Sequence, residues 1–204
     1  MGAKSVVVGL VGPLASGKSV VARELGDLGA VVFTADGVNR DLLAPDQPLL
    51  RKVVEAFGPE YVRADGCLDR AALGRRIFED EADRTALEAM VHPAMTEELA
   101  RRVAQARAAG APFVVVEAAV LHKMGAAGLI DVVVKVTASR EERKRRLIER
   151  DGLSVEEAER RLAVHEKLGL EDVPAEYVID TTEGIEATRK QVRELWWKLL
   201  PGDN

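Results

Sequence analysis

The sequence predicts an α/β domain in which a parallel sheet is buried between helices. Three observations predict it. Five short β-rich runs, at residues 5–11, 30–34, 112–117, 131–137 and 176–180, are mostly continuous in apolar residues rather than alternating, the pattern of strands covered on both faces. Helical periodicity fills the intervals between them. A glycine-rich turn links the first run to the first helical stretch.

Taken in order, the run 5–11 leads through that turn to a stretch in which Val21, Leu25 and Leu28 recur on one helical face, with Gly29 as a stop. With the run 30–34 this forms a βαβ unit. About 75 residues of helical character follow, more than an ordinary crossover requires. Leu73, Ile77 and Phe78 define one apolar face there, and Met95, Leu99 and Val103 another, ending before Gly110. We read this segment as a helical insertion able to hold a second ligand. After the runs 112–117 and 131–137, Ser139 with Glu142 and Ser154 with Glu157 form two capping boxes, predicting two helices joined near Asp151 and Gly152. Beyond the last run, Val192, Leu195 and Leu199 share one face of a closing helix that stops before Pro201. The spacing assigns Trp196 and Trp197 to core and surface packing.

Composition bounds the function. The chain has 204 residues, 47% hydrophobic and 31% charged, enough for one full-sized domain with a buried core. A net charge of −5 supplies no overall positive field for a nucleic-acid backbone or an anionic membrane, so neither is expected as a partner. Cys67 is the only cysteine, which excludes an intrachain disulfide and a cysteine-rich zinc site. The apolar run after Lys4 is interrupted by Gly12, Pro13, Ser16 and Lys18, and no apolar stretch reaches the ~18 residues of a membrane span. The expectation is a cytoplasmic protein, monomeric or weakly self-associating.

The chemistry is carried by Gly12-Pro13-Leu14-Ala15-Ser16-Gly17-Lys18-Ser19, a Walker A pattern that follows a buried strand and opens a helix. In such a loop, consecutive backbone N–H groups from Gly12 and Ala15 through Val20 curl around a β-phosphate, and the following helix points its positive end at it. Lys18 bridges the β- and γ-phosphates of ATP, and the Ser19 hydroxyl ligates Mg²⁺. The second strand ends in Thr34-Ala35-Asp36, and carboxyl ends of strands form the ligand crevice of such sheets, so Asp36 is expected to face the loop and take or orient an acceptor's proton. An alternative use of Asp36 is as a helix cap. The third strand ends in Glu117, which either holds Mg²⁺ through a water or simply closes a buried strand. Six basic residues, Arg140, Arg143, Lys144, Arg145, Arg146 and Arg150, crowd one segment of an acidic chain. Arg146 and Arg150, one turn apart, are the pair best placed to bring positive charge onto ATP. His92, before Pro93, reads as a helix-start residue that caps or reaches the acceptor; His122 and His165 read as surface or lid residues.

The same residues resemble the dephospho-CoA kinase family over nearly the whole chain. The matching series runs from Gly9-Leu10 into the Walker A loop, then Leu28-Gly29-Ala30, Ala35-Asp36, Asp65-Gly66-Cys67-Leu68-Asp69-Arg70, Ile77-Phe78 and His92-Pro93. It continues through Arg146-Leu147, Arg150-Asp151-Gly152, Glu156-Glu157-Ala158, Arg161 and Val178-Ile179-Asp180. The resemblance implies a three-layer P-loop fold with a five-stranded parallel sheet. It implies a nucleotide-binding core of residues 1–58, 111–138 and 172–204, a CoA-binding helical insertion at 59–110, and a lid at 139–171. ATP and dephospho-CoA are the implied substrates, with Asp36 as the acceptor-side acid and Asp36, Arg70, His92 and Glu117 around the acceptor. Departures from the family pattern are Thr34 for aspartate, Pro13 and Ala15 for glycines, Ala119 and Lys123 for proline and glutamate, and His165 and Thr181 for glutamine and asparagine. Two other readings of the loop stay open on residues alone: a kinase for a nucleoside monophosphate or sugar, and a nucleotide-dependent switch.

Overall fold

A computed structural model of the chain describes residues 5–118, 125–167, 169, 170 and 172–200. Five parallel strands form one sheet: β1 (Val6–Val11), β2 (Val31–Thr34), β3 (Phe113–Glu117), β4 (Val132–Thr137) and β5 (Tyr177–Asp180), in the spatial order β2-β3-β1-β4-β5. Each begins one residue later than the apolar run that predicted it. Because side chains alternate across a strand, each face receives its own apolar set. Val7, Val11, Val114 and Val116 face one helical layer; Val8, Leu10, Phe113, Val115 and Val134 face the other.

The second of these layers is made by α1 (Lys18–Asp27) and the closing helix α8 (Ile185–Leu199), with Val21, Leu25, Val192 and Leu195 buried. Trp196 lies edge-on to Phe113 at 4.4 Å between ring centroids, whereas Trp197 is 72% exposed, so one indole is core and the other surface. Leu28, expected on the apolar face of α1, is its C-cap and is exposed.

The opposite layer contains α2 (Ala35–Leu42), α3 (Pro48–Phe57), α4 (Arg70–Glu79) and α5 (Glu81–Ala108). Leu73, Met95, Leu99 and Val103 are buried in the same apolar cluster as Val7 and Val114, so the helical segment shares its core with the sheet. Phe78 does not join Leu73: five residues on, it lies about 140° around the helix and is 75% exposed. The helix start expected at His92–Pro93 is also corrected. Pro93 lies inside α5, which continues because Val91 and Met95 on either side of it are buried in the core. The ring removes one donor, leaving the Ala89 carbonyl without its usual partner, and the burial of both flanking turns offsets that loss.

A third, small cluster of Leu147, Ala158 and Leu162 joins α6 (Arg140–Asp151) to α7 (Val155–Glu166). Both expected capping serines act as such: Ser139 accepts from the Glu142 N–H and Ser154 from the Glu157 N–H, each at 3.2 Å. Gly152, left-handed at φ 66°, ends α6. None of the described helices is long and apolar enough to cross a membrane.

Candidate active site

The carboxyl ends of the strands converge on one cleft of about 1150 Å³. Single-ligand pockets run to about 300–1,000 Å³, so this cleft has room for two substrates. Its floor is the loop between β1 and α1. Gly12 is obligatory there, since a Cβ would sit 2.2 Å from the Val136 carbonyl oxygen. Ala15 is held left-handed at φ 59°, a conformation glycine adopts without strain, which accounts physically for the glycine expected at that position. Gly17, at φ 92°, precedes the first turn of α1. The loop therefore presents the N-terminal end of a ten-residue helix to the cleft.

Lys18 folds back over this loop, its Nζ donating to the carbonyls of Gly12 (2.9 Å) and Pro13 (3.0 Å). Burial lowers its pKa from the ordinary lysine value, against the opposing pull of Glu117 and Asp36. Ser19 Oγ donates to Glu117 Oε1 at 3.3 Å. The Glu117 carboxyl is pushed above the usual range chiefly by burial, with Lys18 and the Ser19 hydrogen bond pulling it down and Asp36 pushing it further up. Lys18, Ser19, Asp36 and Glu117 thus form one electrostatic group at the ends of β1, β2 and β3.

Asp36 is not a cap. Thr34 takes that part, its Oγ1 accepting from the Gly37 N–H at 3.0 Å, and the Asp36 carboxylate is left exposed in the cleft wall. Opposite, Arg70 opens α4 after its cap Asp69, and its Nη2 donates to the Asn39 carbonyl at 3.3 Å. His92 reaches the same wall from the middle of α5.

Arg146 and Arg150 both line the cleft, but in different states. Arg150 pairs with its neighbour Asp151 at 2.6 Å on the exposed end of α6. Arg146 is fixed: it donates to Glu142 Oε1 (2.9 Å), the Ala15 carbonyl (3.2 Å), Thr181 Oγ1 (2.8 Å) and the Thr181 carbonyl (2.7 Å). The rest of the basic cluster is also engaged: Arg140 and Lys144 of α6 meet Glu159 of α7, whose pKa falls to about 2 by hydrogen bonds first from Arg140 and then from Lys144.

The candidate loop residues Ala15 to Val20, together with Asp36, Arg70, His92, Glu117, Arg146 and Arg150, therefore line one cleft, with the Gly12 carbonyl reached by Lys18 behind them. Sequence reasoning missed Glu142 and Thr181. Glu142 stands one turn before Arg146, a spacing that marks an ion pair, and Thr181 follows the carboxyl end of β5, where ligand crevices form. His165, expected at the surface or in a lid, is half-buried in the cleft wall, and burial first, then Lys18, Arg143 and Arg161, lowers its pKa. His122, Ala119 and Lys123 lie outside the described residues. Among the described residues no group of three or more His, Cys, Asp or Glu side chains is arranged to hold a metal.

The sequence model of the dephospho-CoA kinase family matches residues 6–186. A dephospho-CoA kinase of Moorella thermoacetica is 43% identical over 194 residues, 95% of this chain and 92% of that protein. One from Symbiobacterium thermophilum is 43% identical over 197 residues, 97% and 82% of the two chains. Among solved structures, one from Thermus thermophilus superposes with a TM-score of 0.80 at 30% identity, covering 98% of this chain and all of that one. A dephospho-CoA kinase from Campylobacter jejuni has the same fold, with a TM-score of 0.63 at 22% identity over 98% of this chain and all of that one.

Proposed function

Since the chain belongs to the dephospho-CoA kinase family, whose reaction is the ATP-dependent phosphorylation of dephospho-CoA in coenzyme A biosynthesis, we propose how the cleft residues divide that work. The loop from Gly12 to Val20 binds the phosphates of ATP through its N–H groups, and Lys18 leaves its resting carbonyls to meet the β- and γ-phosphates. The ribose 3′-hydroxyl of dephospho-CoA lies against Asp36. Its oxygen attacks the γ-phosphorus, the bond from that phosphorus to the ADP oxygen breaks, and the hydroxyl proton passes to the Asp36 carboxylate and then to solvent. The products are coenzyme A and ADP.

Ser19 and Glu117 fit a Mg²⁺ ion. They are a pair of hard oxygen donors 3.3 Å apart beside the phosphate loop, and Mg²⁺ takes one or two protein oxygens and completes its shell with phosphates and waters. Held by Ser19 and Glu117, such an ion would supply positive charge to neutralise the phosphates. Arg146, and Arg150 once released from Asp151, add positive charge from the other side. Residues 59–110 hold the acceptor, with Arg70 on its phosphates and His92 beside it; residues 139–171 act as the lid, and 1–58, 111–138 and 172–204 as the nucleotide-binding core. The reaction runs in the cytoplasm, where the lone thiol of Cys67 stays reduced.

The observation that carries this reading is the meeting of Lys18, Ser19, Asp36 and Glu117 in one cleft large enough for two substrates. It is tested by following ADP formation with dephospho-CoA, with nucleoside monophosphates and with no acceptor, for the native chain and for Asp36→Asn. A general base contributes ~100- to 10,000-fold, so the variant should lose that much transfer to dephospho-CoA while ATP affinity is retained. Equal turnover with and without acceptor, or a wild-type rate in the variant, sinks the assignment.

A further inference from the structure

Arg146 has five N–H donors. Four are committed to the protein: one to Glu142, one to the Ala15 carbonyl and two to Thr181. An arginine so held is not free to swing onto a phosphate; it works by standing in one place. Thr181 makes most of that place. Its backbone N–H donates to the Thr137 carbonyl at 2.9 Å, which ties it to the end of β4. Its side chain is stiff at χ1 and only 2% of the residue is exposed.

The polarity of the hydroxyl is also set. It holds one proton, which goes to the Ser16 carbonyl at 2.7 Å, with the Thr137 carbonyl at 3.2 Å as the alternative acceptor. With the proton spent on either, the lone pairs receive Arg146 Nη1 at 2.8 Å. A single buried oxygen thereby joins the phosphate loop to the guanidinium. Gly17 reports the tightness of the join, since a Cβ there would be 3.1 Å from both Arg146 Nη1 and Thr181 Oγ1.

We propose that Thr181 is a positioning residue for phosphoryl transfer, linking the Ser16 carbonyl of the loop to Arg146 so that the positive charge beside the loop is in place before ATP arrives. Preorganised charge of this kind acts without reorganisation when the phosphate enters. The proposal rests on Arg146 acting on the phosphates, as read above. The chemistry asks for a side chain that donates and accepts at once. Serine and asparagine do, and asparagine is the residue the family pattern leads one to expect here; valine and alanine do not.

The test is a set of steady-state measurements on Thr181→Val, Thr181→Ser, Thr181→Ala and Arg146→Ala, with the combination Thr181→Val/Arg146→Ala. Loss of a hydrogen bond to a charged group predicts a kcat/KM for ATP lowered about 10- to 100-fold in the valine variant, with KM for dephospho-CoA nearly unmoved. Serine should recover most of that loss and alanine should not; this pair differs by the hydroxyl alone, so it decides the matter even if the valine variant does not fold. In the Arg146→Ala background the valine change should add less than about threefold, because a residue acting through Arg146 has nothing left to act on. Wild-type kinetics in folded valine or alanine variants, equal losses in serine and alanine, or additive losses in the combination would overturn the role of Thr181 alone. A silent Arg146→Ala would overturn the reading of Arg146 and the proposal with it.

Discussion

Replacing Gly17 by alanine puts the contact between the phosphate loop, α6 and the end of β5 under direct load. Two terms oppose the substitution. At φ 92° and ψ 16° the backbone is left-handed, which costs an L-residue about 1–2 kcal/mol. The added methyl would also lie 3.1 Å from Arg146 Nη1 and Thr181 Oγ1 and 3.3 Å from Thr181 Cγ2. These neighbours must retreat by a few tenths of an ångström, yet Arg146 is held by Glu142 and Ala15, and Thr181 by Ser16 and Thr137. Overpacking a site with so little room typically costs about 1–3 kcal/mol. The smaller entropy of an unfolded chain carrying alanine offsets about 0.4–1 kcal/mol. A net destabilisation of about 3 kcal/mol follows, which for a domain of this size is a fall of roughly 6–12 °C in Tm. Because the displaced groups border the phosphate site, KM for ATP should rise at least about tenfold, a loss of roughly 1.4 kcal/mol in binding. Thermal unfolding followed by circular dichroism, with ATP kinetics on the same samples, measures both. Ala15→Gly is the matched control: Ala15 already carries left-handed strain at φ 59°, so its replacement should leave Tm unchanged or raise it. A Gly17→Ala protein with wild-type Tm and wild-type KM for ATP would refute the packing on which this reasoning depends.

Arg70→Ala should raise KM for dephospho-CoA about 10- to 100-fold through loss of a charge-assisted contact, leaving KM for ATP within a few-fold; the reverse pattern in bisubstrate kinetics would move Arg70 to the nucleotide side. The half-buried Glu117 sets a pH dependence. Its carboxyl is raised above the ordinary glutamate value of 4.5, so the folded chain holds that proton more tightly than the unfolded chain. Its contribution to stability is therefore greatest at low pH and declines as pH rises from the unfolded value through the folded one. Glu117→Gln should accordingly gain Tm relative to the native chain as pH climbs through that window, while losing activity at neutral pH. A Tm difference that stays constant from acid to neutral pH would show that the carboxyl does not carry this linkage.

Apolar runs made all five strands legible, each extended by one residue such as Pro112, Asp131 or Glu176, although only β1 and β3 are almost wholly buried and the edge strand β5 exposes Val178. These residues still join the ladder by one backbone group: the Asp131 N–H donates to Val7 and the Glu176 N–H to Val133. The Walker A loop was legible because its spacing is local. Pro93 misled because the preference of proline for helix starts is a local rule, whereas α5 is held by tertiary burial of Val91, Met95 and Leu99. The cap alternative for Asp36 stayed open in the sequence because aspartate and threonine both cap helices; the backbone settles it, since Gly37 donates to Thr34. The place of Thr181 at the end of a strand was visible in the sequence but its partners were not, since Ser16 and Arg146 are 165 and 35 residues away.

The basic cluster 140–150 shows most clearly how composition understates structure. Read as a sequence, it is a reserve of positive charge for ATP. In the fold, Arg140 and Lys144 bridge to Glu159, Arg140 also reaches Glu166, and Arg145 is shared between Glu142 and Glu149. Each such exposed pair is worth only about 0–1 kcal/mol. Together with the buried Leu147, Ala158 and Leu162, the pairs to Glu159 and Glu166 nevertheless join α6 to α7. Leu14 and Ala15 of the phosphate loop pack on that same small core, and Arg146 donates to the Ala15 carbonyl. A movement of α6 and α7 must therefore either carry Leu14 and Ala15 with it or break those contacts. The left-handed Ala15 is thus the residue at which the loop is joined to the α6–α7 pair both by packing and by a hydrogen bond.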